Sequence, residues 1–281
     1  MTKWLFFILT FTHSFFAANA QDFSSYIKEH AIKINQLDSL NNEVYHLLSD
    51  YKLIMVGEMH GTNEPAKFVT GLARIFTSMG DSVQVGLEIP SEKMMEYLNR
   101  PSDNNIYSSD FFAKSSNDGR ASVAWAKVIS RLNKDPKVRI FFFDINNGEC
   151  NNPGDRDSVM YLKIKNKIKE HPKWKTITLS GNIHNMLLPY KEKIKMALYL
   201  SWDNELNLSE KICSLNHYYQ SGTMLNNTGN GLELHQVHNS PSDYSTAVDY
   251  KNYLLLFPVN TNDRYSGIYF SRTVTAAKMV K

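Results

Sequence analysis

Apolar residues along this chain alternate between short dense runs and longer stretches in which they recur every three or four positions. Leu53 to Val56 is the first dense run after the N-terminal region. It stops at Gly57, with Glu58 and His60 just beyond, and Gly61 leads into Thr62-Asn63-Glu64-Pro65. A dense run of this length bounded by glycine predicts a strand, and Thr62 or Asn63 can cap a helix whose first turn accepts Pro65. From Pro65 to Met79, residues Phe68, Val69, Leu72, Ile75, Phe76 and Met79 fall on one helical face, and Gly80 stands where a left-handed C-terminal residue belongs. Ser82 to Pro90 predicts a second strand with Glu88 near its end, and Ser91 to Leu98 a short helix. Arg100 to Gly119, rich in Ser, Asn and Asp, predicts a long surface loop or lid. Ala121 to Leu132 returns to helical spacing, and Val138 to Phe143 is a dense run ending in Asp144, the pattern of a buried parallel strand. Asn146 to Asp155 predicts a loop, after which Arg156-Asp157-Ser158 opens a helix that ends near Pro172.

Thr176 to Leu179 predicts a fourth strand, followed by Ser180-Gly181-Asn182-Ile183-His184, and Ala197 to Leu200 is a candidate fifth. Beyond Ser201 the pattern changes. Leu232 to Val237, Tyr253 to Phe257 and Ile268 to Val274 predict strands without helices between them, the mark of antiparallel additions to a sheet edge, with Met224 to Gly231 as a turn-rich excursion. Asp22 to Asp50 predicts one or two helices across an edge. The whole predicts one α/β domain over residues 21–281, with a mainly parallel central sheet flanked by helices and antiparallel strands near the C-terminus.

Residues 1–20 are a case apart. Lys3, the apolar run Trp4 to Phe16 and Ala18-Asn19-Ala20 before Gln21 predict a cleaved signal peptide; an uncleaved anchor would need about 20 apolar residues. No Cys stands at the cleavage point for a lipid, so the expected location is periplasmic or secreted, with no membrane span in the mature chain. Composition is that of an ordinary globular protein, 42% hydrophobic and 21% charged. A net charge of +3 is too small to argue for nucleic acid, and Lys163, Lys165, Lys167 and Lys169 read as a solvated helix face. In an oxidising compartment Cys150 and Cys213 can pair or stay as two thiols; the sequence does not choose.

Chemistry gathers at the ends of the predicted strands. Glu58 with His60, Glu88, Asp144 and His184 each follow a dense run, spaced by about 30 to 60 residues, which fits one or two βα units apiece. If the strands are parallel, all four ends lie along one edge of one sheet, where α/β proteins bind ligands. Two of them share a pattern, Gly57-Glu58-Met59-His60 and Gly181-Asn182-Ile183-His184: glycine lets the backbone bend and the histidine three positions on can face back over the strand end.

These residues carry a resemblance. GEMHGTNEP, GLEIP, DGRAS at Asp118 to Ser122, FFFD ending at Asp144, Arg156-Asp157 and SGNIH are similar to the Tiki, ChaN and erythromycin-esterase superfamily, over about Leu53 to His184. The resemblance implies an α/β fold with a His/Glu-lined cleft, and members that include ester hydrolases, a metal-dependent protease and a haem-binding lipoprotein. Carried over by position, it picks out His60, His184, Glu58, Glu64 and Glu88. The lipobox of the haem-binding branch and the long C-terminal domain of the protease branch are missing.

Three chemistries fit. In a metal-free hydrolase of an ester or amide bond, His60 or His184 is the general base, Glu88 orients it, and Arg120 or Arg156 holds the oxyanion. In a metallohydrolase, His60 and His184 with Glu58 or Glu88 ligate a divalent metal and leave a position open for water. In a binding protein of the ChaN type the same cleft holds haem or a metal cofactor and turns nothing over. A small-molecule or peptide substrate is the expected partner. Asp144 can equally be a loop cap and Arg156-Asp157 a helix cap. His46, His171, His217, His235 and His238 read as ordinary core or surface histidines, although His235 and His238 can also supply an extra ligand. There is no P-loop, G-x-G-x-x-G, G-x-S-x-G or H-E-x-x-H, and Cys150 has no neighbouring histidine that would make it a nucleophile.

Overall fold

The computed structural model of the protein describes residues 23–114, 118–150, 152, 155–227, 229–238, 241–258 and 263–280; the expected signal peptide lies outside them. The elements in chain order are α1 (23–30), β1 (Ile32–Ile34), α2 (Asn42–Leu48), β2 (Leu53–Glu58), α3 (Glu64–Ser78), β3 (Val83–Pro90), α4 (Met95–Asn99), α5 (Asp103–Ser108), α6 (Asp110–Lys114), α7 (Val123–Leu132) and β4 (Val138–Asp144). They continue with α8 (Arg156–Glu170), β5 (Lys175–Gly181), α9 (Met196–Trp202), β6 (Ile212–Asn227), β7 (Leu232–Val237), α10 (Ser242–Thr246), β8 (Asn252–Leu256) and β9 (Gly267–Val274).

The strands make one nine-stranded sheet in the order β1-β8-β9-β6-β2-β5-β3-β4, with β7 paired to β6. From β9 to β4 every neighbouring pair is parallel, while β8 runs antiparallel to β9, β1 to β8, and β7 to β6. Both faces of the central strands are covered. On β2, Ile54 and Val56 enter the core shared with α2, α3 and α7, and Leu53 and Met55 enter the core shared with α8 and α9. Burial on two sides is why Leu53 to Val56 is a continuous apolar run instead of an alternating one. A third cluster, with Ile27, Tyr253, Leu255 and Phe270, packs beside the outer strands. No helix among the described residues is long and apolar enough to cross a membrane.

The expected mainly parallel sheet is therefore present, with some redistribution. Ala197 to Leu200 is helix α9, not a fifth strand; an isolated apolar tetrad carries no periodicity that separates the two. The missing parallel strand is β6, which extends through Met224 to Asn227 before its hairpin with β7, so only the end of that segment is a turn. Arg100 to Gly119 is no free lid over its described part, because α5 and α6 bury Ile106, Phe111 and Phe112. Of the C-terminal strands, β9 is parallel to β6. The two cysteines remain separate thiols, Cys213 inside the core and Cys150 in a loop.

The bend after β2 depends on Gly57. A Cβ there would overlap the Asn182 carboxamide and lie 2.8 Å from the Leu215 carbonyl oxygen. Gly57→Ala is expected to cost about 1–3 kcal/mol of overpacking strain, read as a lower urea midpoint; an unchanged midpoint would show that the turn has slack.

Candidate functional site

Register decides where the titratable groups meet. Glu58 pairs with Gly181 across β2 and β5, Leu87 with Leu179 across β3 and β5, and Pro90 with Asp144 across β3 and β4. The carboxyl ends of these parallel strands are thus nearly level. Glu58, Glu88, Asp144 and the turn that carries His184 line one edge, the side of an open α/β sheet on which ligands bind. Arg120 arrives from the segment before α7, and Arg156 and Asp157 are the first two residues of α8.

Glu88 is the hub. Its side chain is wholly buried and is held on both oxygens: Oε1 accepts from Arg156 Nη2 at 2.5 Å and Arg120 Nη1 at 3.1 Å, and Oε2 accepts from the Gly181 backbone N–H at 2.7 Å. The same two guanidinium groups share Asp144, which accepts from Arg120 Nη1 at 3.0 Å and from Arg156 Nε and Nη2 at 2.9 Å each. Asp118 binds Arg120 Nε at 2.8 Å. Burial pushes the Glu88 carboxyl up, but Arg120, the two histidines and Arg156 together hold it well below the usual range. Burial likewise lowers both arginines, and the carboxylates outweigh it.

The two histidines stand on either side of Gly181, where a Cβ would lie 3.3 Å from His60 Nε2 and 3.6 Å from His184 Cδ2. They are held differently. His60 Nδ1 lies 2.5 Å from Glu58 Oε1, and the other Glu58 oxygen accepts from the Trp125 indole at 3.2 Å. Both Glu58 oxygens being acceptors, Nδ1 carries the proton, and Nε2 is left as the basic nitrogen. Burial pulls His60 down, but the Glu58 hydrogen bond and the charges of Glu58 and Glu88 more than offset it, so its pKa lies above the ordinary 6.5. His184 places Nδ1 2.7 Å from Asp157 and Nε2 3.3 Å from Arg156 Nη1, so its basic nitrogen already faces an N–H donor. Asp157 also accepts from Lys195 Nζ and the Met196 N–H, and despite its burial these partners lower its pKa.

A divalent metal does not suit this donor set. Among the described residues no three His, Cys, Asp or Glu side chains stand as ligands for one ion. Of the four residues proposed to bind it, Glu58 and Glu88 have their oxygens committed to N–H donors, His184 faces Arg156, and two guanidinium groups supply the positive charge.

His60, Glu58, Glu88, Arg120 and His184 thus meet at one place, with Asp144 and Arg156. Glu64 does not join them: it is buried against Thr275, accepting from its backbone N–H at 3.0 Å and its hydroxyl at 2.8 Å. His235 and His238 lie on or beside β7 and contact backbone carbonyls of β6. Two partners escape the sequence reading. Trp125 reads there only as part of an apolar helix face, and Asp157 as a helix cap, although α8 opens without a side-chain cap and Asp157 turns inward to His184.

In fold the chain is similar to a protein from Bacillus cereus, with a TM-score of 0.66, 11% identity and coverage of 92% of this chain and 99% of that one. It is similar to a succinoglycan biosynthesis protein, with a TM-score of 0.64, 10% identity and coverage of 93% and 98%. It is also similar to a histidine-to-asparagine mutant of erythromycin esterase EreC in its open conformation, with a TM-score of 0.61, 11% identity and coverage of 86% and 97%. No family model matches the sequence, and no curated protein matches it. The chain therefore shares the fold of erythromycin esterase, as the resemblance implied.

Glu88→Gln would leave Arg120 and Arg156 short of a buried counter-charge and is expected to cost about 3–5 kcal/mol in urea unfolding. Because the folded-state pKa of Glu88 is depressed, its contribution is present above the ordinary 4.5 and fades as pH falls toward the depressed value. The variant should lose part of the wild type's acid dependence in that window. Equal stability of the two proteins at neutral pH would show that Glu88 does not organise the site.

Proposed function

We propose that the protein is an exported hydrolase that cleaves an ester or amide bond with a water activated at His60. The observation that carries this reading is the asymmetry of the histidines: Glu58 holds His60 Nδ1 at 2.5 Å and leaves Nε2 to take a proton, whereas His184 Nε2 faces Arg156. Water gives a proton to His60 Nε2 as its oxygen bonds to the carbonyl carbon, and the imidazolium is stabilised by Glu58. The oxyanion is held by Arg156, whose side chain is 28% exposed against 15% for Arg120. Arg120 bonds to Asp118, Glu88 and Asp144 and acts as a positioning residue. Collapse of the intermediate expels the alcohol or amine, which takes the proton back from His60. The shared fold with a protein named erythromycin esterase supports esters as the first substrates to try.

His60→Ala is expected to lower kcat by about 10²–10⁴-fold with an unchanged far-UV spectrum. Activity needs neutral His60, and its pKa is raised, so in the wild type the acidic limb of kcat/KM should lie above the ordinary histidine value of 6.5. Full turnover in the variant would end the assignment. Since the donor set does not suit a metal, activity should also survive a chelator; loss restored by a divalent ion would overturn the metal-free mechanism.

A further inference from the structure

A cavity of about 460 Å³ opens beside the histidines, walled on one side by Met59, Asn182 and Ile183, the chain neighbours of His60 and His184. Its opposite wall is aromatic. Tyr218 and Tyr244 stack with ring centroids 4.9 Å apart, and Phe257 and Tyr265 complete the surface. The Tyr265 hydroxyl donates to the Asn182 carbonyl at 3.1 Å, which fixes that ring at the boundary with the turn carrying His184.

One polar group on this wall has no partner. Asn216 is 6% exposed, and its Oδ1 is buried without a hydrogen bond among the described residues. Buried acceptors are almost always satisfied, so an orphan on a cavity wall marks where a ligand donor belongs. Aromatic rings suit the C–H face of a saturated ring, and a carboxamide offers an acceptor and donors to adjacent hydroxyls. Asp263 and Arg264 also line the cavity, so it presents charges of both signs and selects neither an anion nor a cation.

We propose that this cavity is a specificity subsite for a neutral polyhydroxylated ring, a glycosyl unit that carries the ester, with a ring hydroxyl donating to Asn216 Oδ1. The assignment of the bond cleaved rests on the hydrolase reading; the assignment of the ring does not. A flat aromatic or an alkyl group would fill the volume but leave the Asn216 oxygen buried and unpaired.

The test compares methyl O-acetyl-glucopyranosides, acetylated at each hydroxyl in turn, with cyclohexyl acetate. Sites built to bond a hydroxyl reject analogues lacking it by up to about 10⁴-fold, so kcat/KM for one sugar ester should exceed that for cyclohexyl acetate by about 100-fold or more. Asn216→Leu should reduce that ratio by about 10-fold or more. Phe257→Ala, which leaves β6 intact, should raise KM for the sugar ester with little change in kcat. Saturation-transfer NMR with methyl glucopyranoside, which has no ester, should show ring-proton signals that Asn216→Leu removes. Ring binding without hydrolysis of any ester would sink the catalytic reading and keep the subsite. Hydrolysis with no preference for the hydroxylated ring, or a ratio that neither variant changes, would sink the subsite and keep the hydrolase.

Discussion

A carboxylate buried without water must find its counter-charges inside the protein, and Glu88 finds two. Arg120 comes from a loop more than thirty positions later in the chain and Arg156 from the start of α8, and both also bond to Asp144 at the end of the neighbouring strand. The remaining Glu88 oxygen takes the N–H of Gly181, between the two histidines. One side chain thus fixes two strand ends, a loop, a helix start and a turn. Replacing such a cluster with apolar residues is often no less stable, so its value lies more in the arrangement it specifies than in net stability.

Within that frame, two copies of one short motif have different tasks. Each glycine lets its strand end bend and each histidine returns over the sheet edge, but the partners differ. Glu58 leaves His60 with a basic Nε2, and the Trp125 indole keeps Glu58 pointed at the ring. Asp157, anchored by Lys195 and Met196, holds His184 with its Nε2 toward Arg156. The second histidine therefore orients the guanidinium that meets developing negative charge, while the first moves the proton.

The parallel core was legible because strands buried on both faces must be continuously apolar, and their polar residues then stand out at the ends. That reasoning located Glu58, Glu88, Asp144 and His184 without any coordinates. It missed partners whose signal is ambiguous in one dimension: a tryptophan on an amphipathic helix looks like core whether or not its N–H is used, and an aspartate in a first helical turn looks like a cap. It also missed β6, since Ser214, Asn216, His217 and Gln220 interrupt the apolar pattern expected of a central strand.

That strand failed the pattern because its polar residues serve the edge. Leu215 pairs with Val56, and the next N–H but one, that of His217, donates to the Asn182 carboxamide at 3.2 Å. Farther on, the Leu225 N–H donates to the Gly61 carbonyl, and the Leu225 oxygen packs on Gly61 and Gly119, which sit at φ of 90° and 83° where a side chain would be strained and would collide. The His217 ring, kept neutral by burial that pushes it down to about 3, lies parallel to Tyr269 at 4.4 Å, and the Tyr269 hydroxyl donates to the Gly57 carbonyl at 2.6 Å. The same strand therefore braces the turn that carries the base and supplies Asn216 to the neighbouring cavity. A buried strand with that many polar residues is unfavourable unless each has a partner, and the one acceptor without a partner inside the protein is the one that faces open space.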